Sequence, residues 1–151
     1  MLGAERKLEK AVMQAGSYEE WRESAQALDR QRGHDKWRQR DQSTQYDYVS
    51  IRLRLDRLRS LRARHDNRGL LFTLNEGIHG NMGGMGKSSL YERALTGTKN
   101  LVVDYVEEIV DALDLLASDK VDDITFEEKL DFFRRADHCF GRSAFMMSGS
   151  G

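Results

Sequence analysis

Not one of the 151 residues is proline. Proline fixes φ, lacks the N–H that a helix bonds to its preceding turn and clashes with that turn, so a chain without it meets no such obstacle to helix. Leu, Ala, Arg, Glu and Lys are abundant, and all favour helix. The chain is therefore expected to be mainly α. Its length suits one domain with a single sizeable core. Helix ends must come from caps and glycines.

Ser17-Tyr18-Glu19-Glu20 has the pattern of a capping box, in which the Ser17 hydroxyl accepts from the Glu20 N–H while the Glu20 carboxylate reaches back. It opens a helix with Tyr18, Trp21, Ala25 and Leu28 on its apolar side, and Gly33 ends it. A short polar piece with Trp37 follows. Tyr46-Asp47-Tyr48 introduces a long helix to about Arg64, with Ile51, Leu55 and Leu58 on one side and Leu53 and Leu61 flanking. Leu70 to about His79 reads as another short helix, and glycines within 80–86 break the pattern. Ser88 or Ser89 caps a brief turn holding Leu90 and Tyr91. After Gly97-Thr98 comes the strongest stripe: Val102, Tyr105, Ile109, Leu113 and Leu116 recur at three- and four-residue steps, with Glu107, Glu108, Asp111 and Asp114 largely opposite. Such a stripe is core. A second capping box, Thr125-Phe126-Glu127-Glu128, opens a last helix that carries Leu130 and Phe133 and that Gly141 closes.

Several function classes drop out. No run of about twenty apolar residues exists, so no segment is expected to span a membrane. The first fifteen residues are charged throughout and lack the apolar segment of a secretion signal. The single cysteine, Cys139, permits no internal disulfide, which fits a reducing compartment, and it reads as a small buried apolar residue. His34, His65, His79 and His138 lack metal-ligand spacing. Neither a metal nor another cofactor is expected.

The stretch GNMGGMGKSS, residues 80–89, imitates a phosphate-binding loop. That loop requires Gly, four residues, then Gly-Lys-Ser/Thr, so that successive N–H groups converge on phosphate. Counting back from Gly86 the first glycine belongs at 81, where Asn81 stands, and no β-branched strand precedes it. No nucleotide is expected; the glycines read as a tight connection between helices.

The net charge of -1 conceals an asymmetry. Between Ser50 and Arg68 lie seven arginines, Arg52, Arg54, Arg57, Arg59, Arg62, Arg64 and Arg68, against Asp56 and Asp66; between Asp104 and Asp131 lie eleven acidic residues against Lys120 and Lys129. A basic run can bind anionic lipid headgroups or nucleic acid. The reading preferred here is that the basic helix lies beside the acidic one in the same bundle, or that both are solvated faces, since arginine stems also cover apolar surface. Nucleic acid is not expected as a partner.

The chain ends differently, in SAFMMSGSG, an apolar run followed by glycines. A run of this length bounded by glycine fits a buried strand entering a turn. A lone terminal strand has no partner here, so the chain reads as a piece of something larger.

Several stretches occur together in an order that resembles the N-terminal region of the patatin-like triacylglycerol lipases. They are SYEEW (17–21), ALD (27–29), Trp37, YDY (46–48), IHGNMGG (78–84), LY (90–91), GTK (97–99), DYVEEI (104–109) and EEKLDFFRRADHCFGRSAFMMSGSG (127–151). The resemblance implies a helical N-terminal domain over 1–141. It also implies that 142–151 is the first strand and Gly-rich turn of a truncated α/β hydrolytic domain. In that family the turn's N–H groups form the oxyanion hole, and a Ser-Asp dyad lies downstream. The candidates for the turn are Gly149, Ser150 and Gly151, Ser150 standing where the family commonly has glycine. Donors about 3 Å from the developing oxyanion stabilise it, and glycine permits the close backbone approach.

No residue is carried over as nucleophile or base. Gly141-Arg142-Ser143-Ala144-Phe145 has Phe where an elbow needs its second glycine and sits at a helix-to-strand junction, the reverse of what an elbow requires. Ser143 reads as a strand-entry residue. The chain alone is expected to be inactive, packing against the hydrolytic domain of a parent enzyme. It is expected in the cytoplasm, with peripheral contact to lipid droplets or membranes. The alternative is a stand-alone helical interaction module that binds a lipid surface or a partner protein through Arg52, Arg54, Arg57, Arg59, Arg62 and Arg64.

Overall fold

Seven helices occur among the described residues of the computed structural model, which are 2–78 and 82–148, with side chains described over 3–77 and 83–137. They are α1 (Leu2–Gln14), α2 (Tyr18–Arg32), α3 (His34–Gln39), α4 (Tyr48–Ala63), α5 (Asn67–Ile78), α6 (Asn100–Ala117) and α7 (Phe126–Ser148). Two short 3-10 turns, Met82–Gly84 and Ser88–Leu90, lie between α5 and α6. The mainly helical expectation holds.

Caps set the boundaries. Ser17 Oγ accepts from Glu20 N at 3.1 Å, and the Glu20 carboxylate reaches back to Gly16 N at 2.9 Å. Asp47 Oδ1 accepts from Ser50 N at 3.1 Å to start α4, and Thr125 Oγ1 accepts from Glu128 N at 3.1 Å to start α7. Each such cap is worth about 1 kcal/mol. Gly33 closes α2 in the left-handed conformation, φ 76°.

The core is built on α4 and α6, which pack along one another. Ile51, Leu55, Leu58 and Leu61 of α4 meet Leu101, Val102, Tyr105, Ile109, Ala112 and Leu116 of α6, with Leu70 and Leu74 of α5 and Phe132 and Ala136 of α7 closing the sides. Each fully buried large side chain contributes roughly 1.5–3 kcal/mol. α1 lies on α2, clamped by Arg32 to Glu5 at 2.8 Å and to Glu9 at 2.7 Å, and α2 joins the core helices through α3.

The connection after α5 shows what its glycines do. Gly83 O accepts from Asp47 N at 2.7 Å, which seats this loop on the start of α4. Gly84 has φ 80°, and a Cβ there would sit 3.4 Å from Gln45 O and 3.6 Å from Tyr46 Cα. Both the left-handed conformation and the close approach favour glycine. No phosphate cradle is needed to account for them.

Five sequence expectations are corrected. Tyr18 is 71% exposed, because it occupies the first position of α2, stacked on Trp21 rather than under it. The polar piece around Trp37 is a helix, α3, and Trp37 is buried. Leu53 is 66% exposed while Leu61 is buried, because the apolar line of α4 follows 51, 55, 58 and 61. In α7 the buried positions are Phe132 and Ala136, and Leu130 is exposed. Lys129 shares that inward face, its ammonium donating to Ser118 O at 3.0 Å and Val121 O at 2.7 Å. A lysine on the apolar side disguised the stripe.

The fifth concerns the end of the chain. Gly141 does not close α7, and 142–148 are helical where a strand was expected, Ser143 included. A single strand leaves its N–H and C=O groups unpaired, whereas helix pairs them within the segment. Ala144, Met146 and Met147 are good helix formers. With no neighbouring strand among the described residues, helix is the state that satisfies the backbone.

Candidate functional site

Most arginines of α4 are paired. Arg52 meets Asp41 at 2.8 Å, Arg57 meets Glu76 at 3.6 Å and Arg59 meets Asp104 at 3.9 Å. Arg62 grips Glu108 through two nitrogens, at 2.7 and 3.1 Å, and also approaches Asp111 at 3.7 Å. Arg64 turns back to Ser60 O at 3.4 Å, and Arg68 pairs with Glu128 at 3.1 Å. Burial raises the pKa of the Tyr105 hydroxyl, with nearby Arg54 opposing. The basic and acidic helices thus lie side by side, the reading preferred from sequence. Glu108, expected on the solvent side of α6, is buried, with its charge matched by Arg62.

Exposed pairs of this kind are each worth about 0–1 kcal/mol. Their larger effect here is to neutralise the field of α4, so that its arginines draw an anionic surface less than their number suggests.

A denser polar site, absent from the sequence expectations, lies where α2 and α3 meet the loop 94–99. Asp29, near the end of α2, is 1% exposed. Its carboxylate accepts from Leu95 N at 3.0 Å, Thr96 N at 3.0 Å and Thr96 Oγ1 at 2.6 Å. Burial pushes this carboxyl up, but the Thr96 and Leu95 bonds, with His34 nearby, outweigh burial and hold it below its ordinary range. From α3, Arg38 donates to Thr98 O at 2.7 Å and to Thr96 Oγ1 at 3.2 Å. A Cβ on Gly97, whose φ is 149°, would stand 3.0 Å from the Arg38 guanidinium.

Lys99 completes this site. It is 2% exposed, and its ammonium donates to Trp37 O at 2.8 Å, Arg40 O at 2.9 Å and Gln42 O at 3.4 Å, while lying 4.4 Å from the centre of the Trp37 ring. Three acceptors and an aromatic face are what a buried ammonium needs. Burial lowers its pKa, and the repulsion of Arg40 and Arg93 lowers it further, with Asp41 opposing. ALD, Trp37 and GTK, which carried part of the resemblance, therefore converge on one place.

A separate cleft of about 500 Å3 lies between α4, α5 and α6, lined by Arg54, Leu58, Thr73, Gly77, Tyr105 and Ile109 among others. Arg54 Nη1 and Thr73 Oγ1 are buried without a partner.

The oxyanion-hole candidates Gly149, Ser150 and Gly151 lie outside the described residues, as does the side chain of Cys139. Among the described residues no group of three or more His, Cys, Asp or Glu side chains is placed to hold a metal ion, and no helix is long and apolar enough to cross a membrane.

Residues 1–138 match the family described as a domain of unknown function, DUF3336. A triacylglycerol lipase of Schizosaccharomyces pombe, ptl2, is 35% identical over 147 residues, which is 97% of this chain and 23% of that protein. A second S. pombe triacylglycerol lipase, ptl3, is 35% identical over 137 residues, covering 91% of this chain and 28% of that protein. A patatin-like phospholipase domain-containing protein of Yarrowia lipolytica is 37% identical over 150 residues, 99% of this chain and 18% of that protein. The chain thus spans well under a third of the length of the curated relatives it matches. No solved structure matches it.

Proposed function

This chain belongs to the family described as a domain of unknown function, DUF3336, and from that premise we propose that it is the helical N-terminal part of a patatin-like lipid acyl hydrolase. The observation that carries the reading is the coverage: almost the whole chain aligns with proteins named as triacylglycerol lipases or as patatin-like phospholipase domain-containing proteins, yet it accounts for only 16–28% of them. The activity those names describe then resides mainly in sequence beyond this domain. Residues 1–141 are the helical domain and 142–151 lead into the hydrolytic sheet, where Gly149, Ser150 and Gly151 would supply oxyanion-hole donors.

In this reading 142–148 take up strand only when neighbouring strands of the hydrolytic domain pair with them. The same backbone groups that α7 satisfies internally would then be satisfied by a sheet. The domain itself packs against the hydrolytic unit and supplies neither nucleophile nor base. The parent enzyme works on acylglycerols at a lipid surface, either a droplet or a membrane.

The test is hydrolysis of emulsified triolein by the 151-residue chain and by the product of the gene read downstream of codon 151. The chain alone is expected to release no fatty acid above buffer, and the longer product to release it. Hydrolysis by the short chain, or a downstream reading frame without a G-x-S-x-G segment, would overturn the proposal.

A further inference from the structure

The ion pairs among the described residues engage His34, Arg32, Arg52, Arg57, Arg59, Arg62, Arg68 and Arg135. None reaches Arg40, Arg93 or Lys99. These three cations come from α3's end, the loop before α6 and the residue preceding α6, and they surround one hollow of about 330 Å3 that Trp37 and residues 42–45 also line. The Arg93 guanidinium lies 5.3 Å from the centre of the Trp37 ring, the same ring that faces the Lys99 ammonium. The acid whose charge acts on Lys99, Asp41, is bonded to Arg52 at 2.8 Å. Positive charge is therefore concentrated here without a counter-charge of its own.

We infer that this hollow is a binding site for a phosphate group, held by the guanidinium forks of Arg40 and Arg93 above the buried Lys99 ammonium. The roles divide by geometry. Lys99 has spent its three protons on the carbonyls of Trp37, Arg40 and Gln42, so it acts on an anion through charge alone. Arg40 and Arg93 are exposed, and neither is in an ion pair among the described residues, which leaves their paired N–H groups available. Two such forks match the several terminal oxygens of a phosphate better than the two of a carboxylate. Ser43 Oγ accepts from Gln45 N at 2.9 Å, so its own proton is also free to donate. The hollow lies at the lower end of ligand-pocket volumes, with room for a phosphate and part of the alcohol that esterifies it. An anion seated there also relieves the mutual repulsion of the three cations.

The phosphate can belong to a soluble phosphomonoester or to a lipid headgroup, and the experiment separates the two. The 151-residue chain is titrated with inorganic phosphate and with glycerol 3-phosphate at constant ionic strength set by chloride, read by calorimetry and by tryptophan emission, since Trp37 lines the hollow. Flotation is then measured with phosphatidylcholine vesicles with and without phosphatidic acid. Saturable binding of at least one phosphate source is expected. Arg40→Gln and Arg93→Gln are each expected to weaken it about tenfold or more, the effect of losing a charged hydrogen-bonding partner.

Arg57→Gln and Arg59→Gln, on the paired face of α4, are expected to leave binding unchanged. Arg93→Lys, which keeps the charge but loses the fork, is expected to weaken binding less than Arg93→Gln. Binding to phosphatidic acid vesicles alone, lost in the same two variants, assigns the site to a lipid phosphate; binding of the soluble esters assigns it to a free one. No saturable response to either source, an equal response to chloride, or full binding by a folded Arg93→Gln variant would each overturn the assignment. The hollow binds phosphate whether or not a hydrolytic domain follows.

Discussion

Replacing Asp29 by Asn tests whether the polar site at the α2–α6 junction holds the fold together. Asn keeps the shape but must present an NH2 group where one carboxylate oxygen stood. If it faces Leu95 N, at 3.0 Å in the native site, two donors oppose one another and a buried N–H is left unsatisfied, costing about 1–3 kcal/mol. The two bonds from Thr96 survive as neutral ones, each weaker by about 1 kcal/mol. The total is roughly 3–5 kcal/mol. For a chain of this size each kcal/mol moves Tm by about 2–4 °C, so Tm should fall by about 6–20 °C.

The pH dependence distinguishes this cause from mere misfit. Hydrogen bonding outweighs burial at Asp29 and holds its folded-state pKa below the ordinary 3.8. Its contribution is thus fully present above about pH 4 and is lost as pH falls through the depressed folded value. Urea midpoints of native and Asp29→Asn proteins should differ most at neutral pH and approach one another as pH falls below about 4. A difference below about 0.5 kcal/mol at pH 7, or one that stays constant down to pH 3, would refute the reasoning.

Other outcomes follow from the same contacts. Lys99→Met should lower stability by about 1–3 kcal/mol, read by urea denaturation, because the carbonyls of Trp37, Arg40 and Gln42 lose a charged donor and Trp37 O keeps only the Arg40 N–H at 3.3 Å. Arg62→Ala should cost about 1–2 kcal/mol by leaving the buried Glu108 carboxylate unmatched, discounted because Arg62 itself is partly exposed; Arg57→Ala, on an exposed pair, should cost less than about 0.5 kcal/mol. Gly84→Ala should raise the free energy of the folded state by about 1–2 kcal/mol, from a left-handed backbone and contact with Gln45 O, visible as a lower Tm. Truncating Lys129 to Ala should loosen the α6–α7 connection, seen as faster amide exchange at 118–124 with little change in helix content by circular dichroism.

Much of the fold is legible in single stretches. The two capping boxes at Ser17 and Thr125 form as their spacing requires, since a cap needs only residues three apart. The α6 stripe is buried at Val102, Tyr105, Ile109 and Leu116 as its spacing indicates. The α7 face is hard to read from sequence because Lys129 sits on it, held by carbonyls at the end of α6 that its own helix does not contain. The segment 142–148 was expected as strand because an apolar run bounded by glycine does not distinguish the two conformations; its neighbours do.

The candidate sites divide the same way. The arginines of α4 stand out as a run, yet a run cannot tell which members have partners. The partner of Arg62 is 46 residues away, and that of Arg68 is 60 residues away. Singly, Asp29, Arg38 and Lys99 carry no signal in the sequence, although ALD, Trp37 and GTK are among the stretches that carry the family resemblance. Asp29 meets Thr96 across 67 residues and Lys99 meets Trp37 across 62.

What the amino-acid order determined alone is the helical character, the caps and the inward stripes, because each arises from contacts one or two turns apart. Only the folded arrangement decided which charges are cancelled and which are left over. Arg40, Arg93 and Lys99 are unremarkable in sequence, but packing α3 against the loop before α6 brings them together, while Asp41, the acid that acts on Lys99, is bonded to Arg52. Coulomb interaction depends on distance through space and on burial, and neither can be read along a chain.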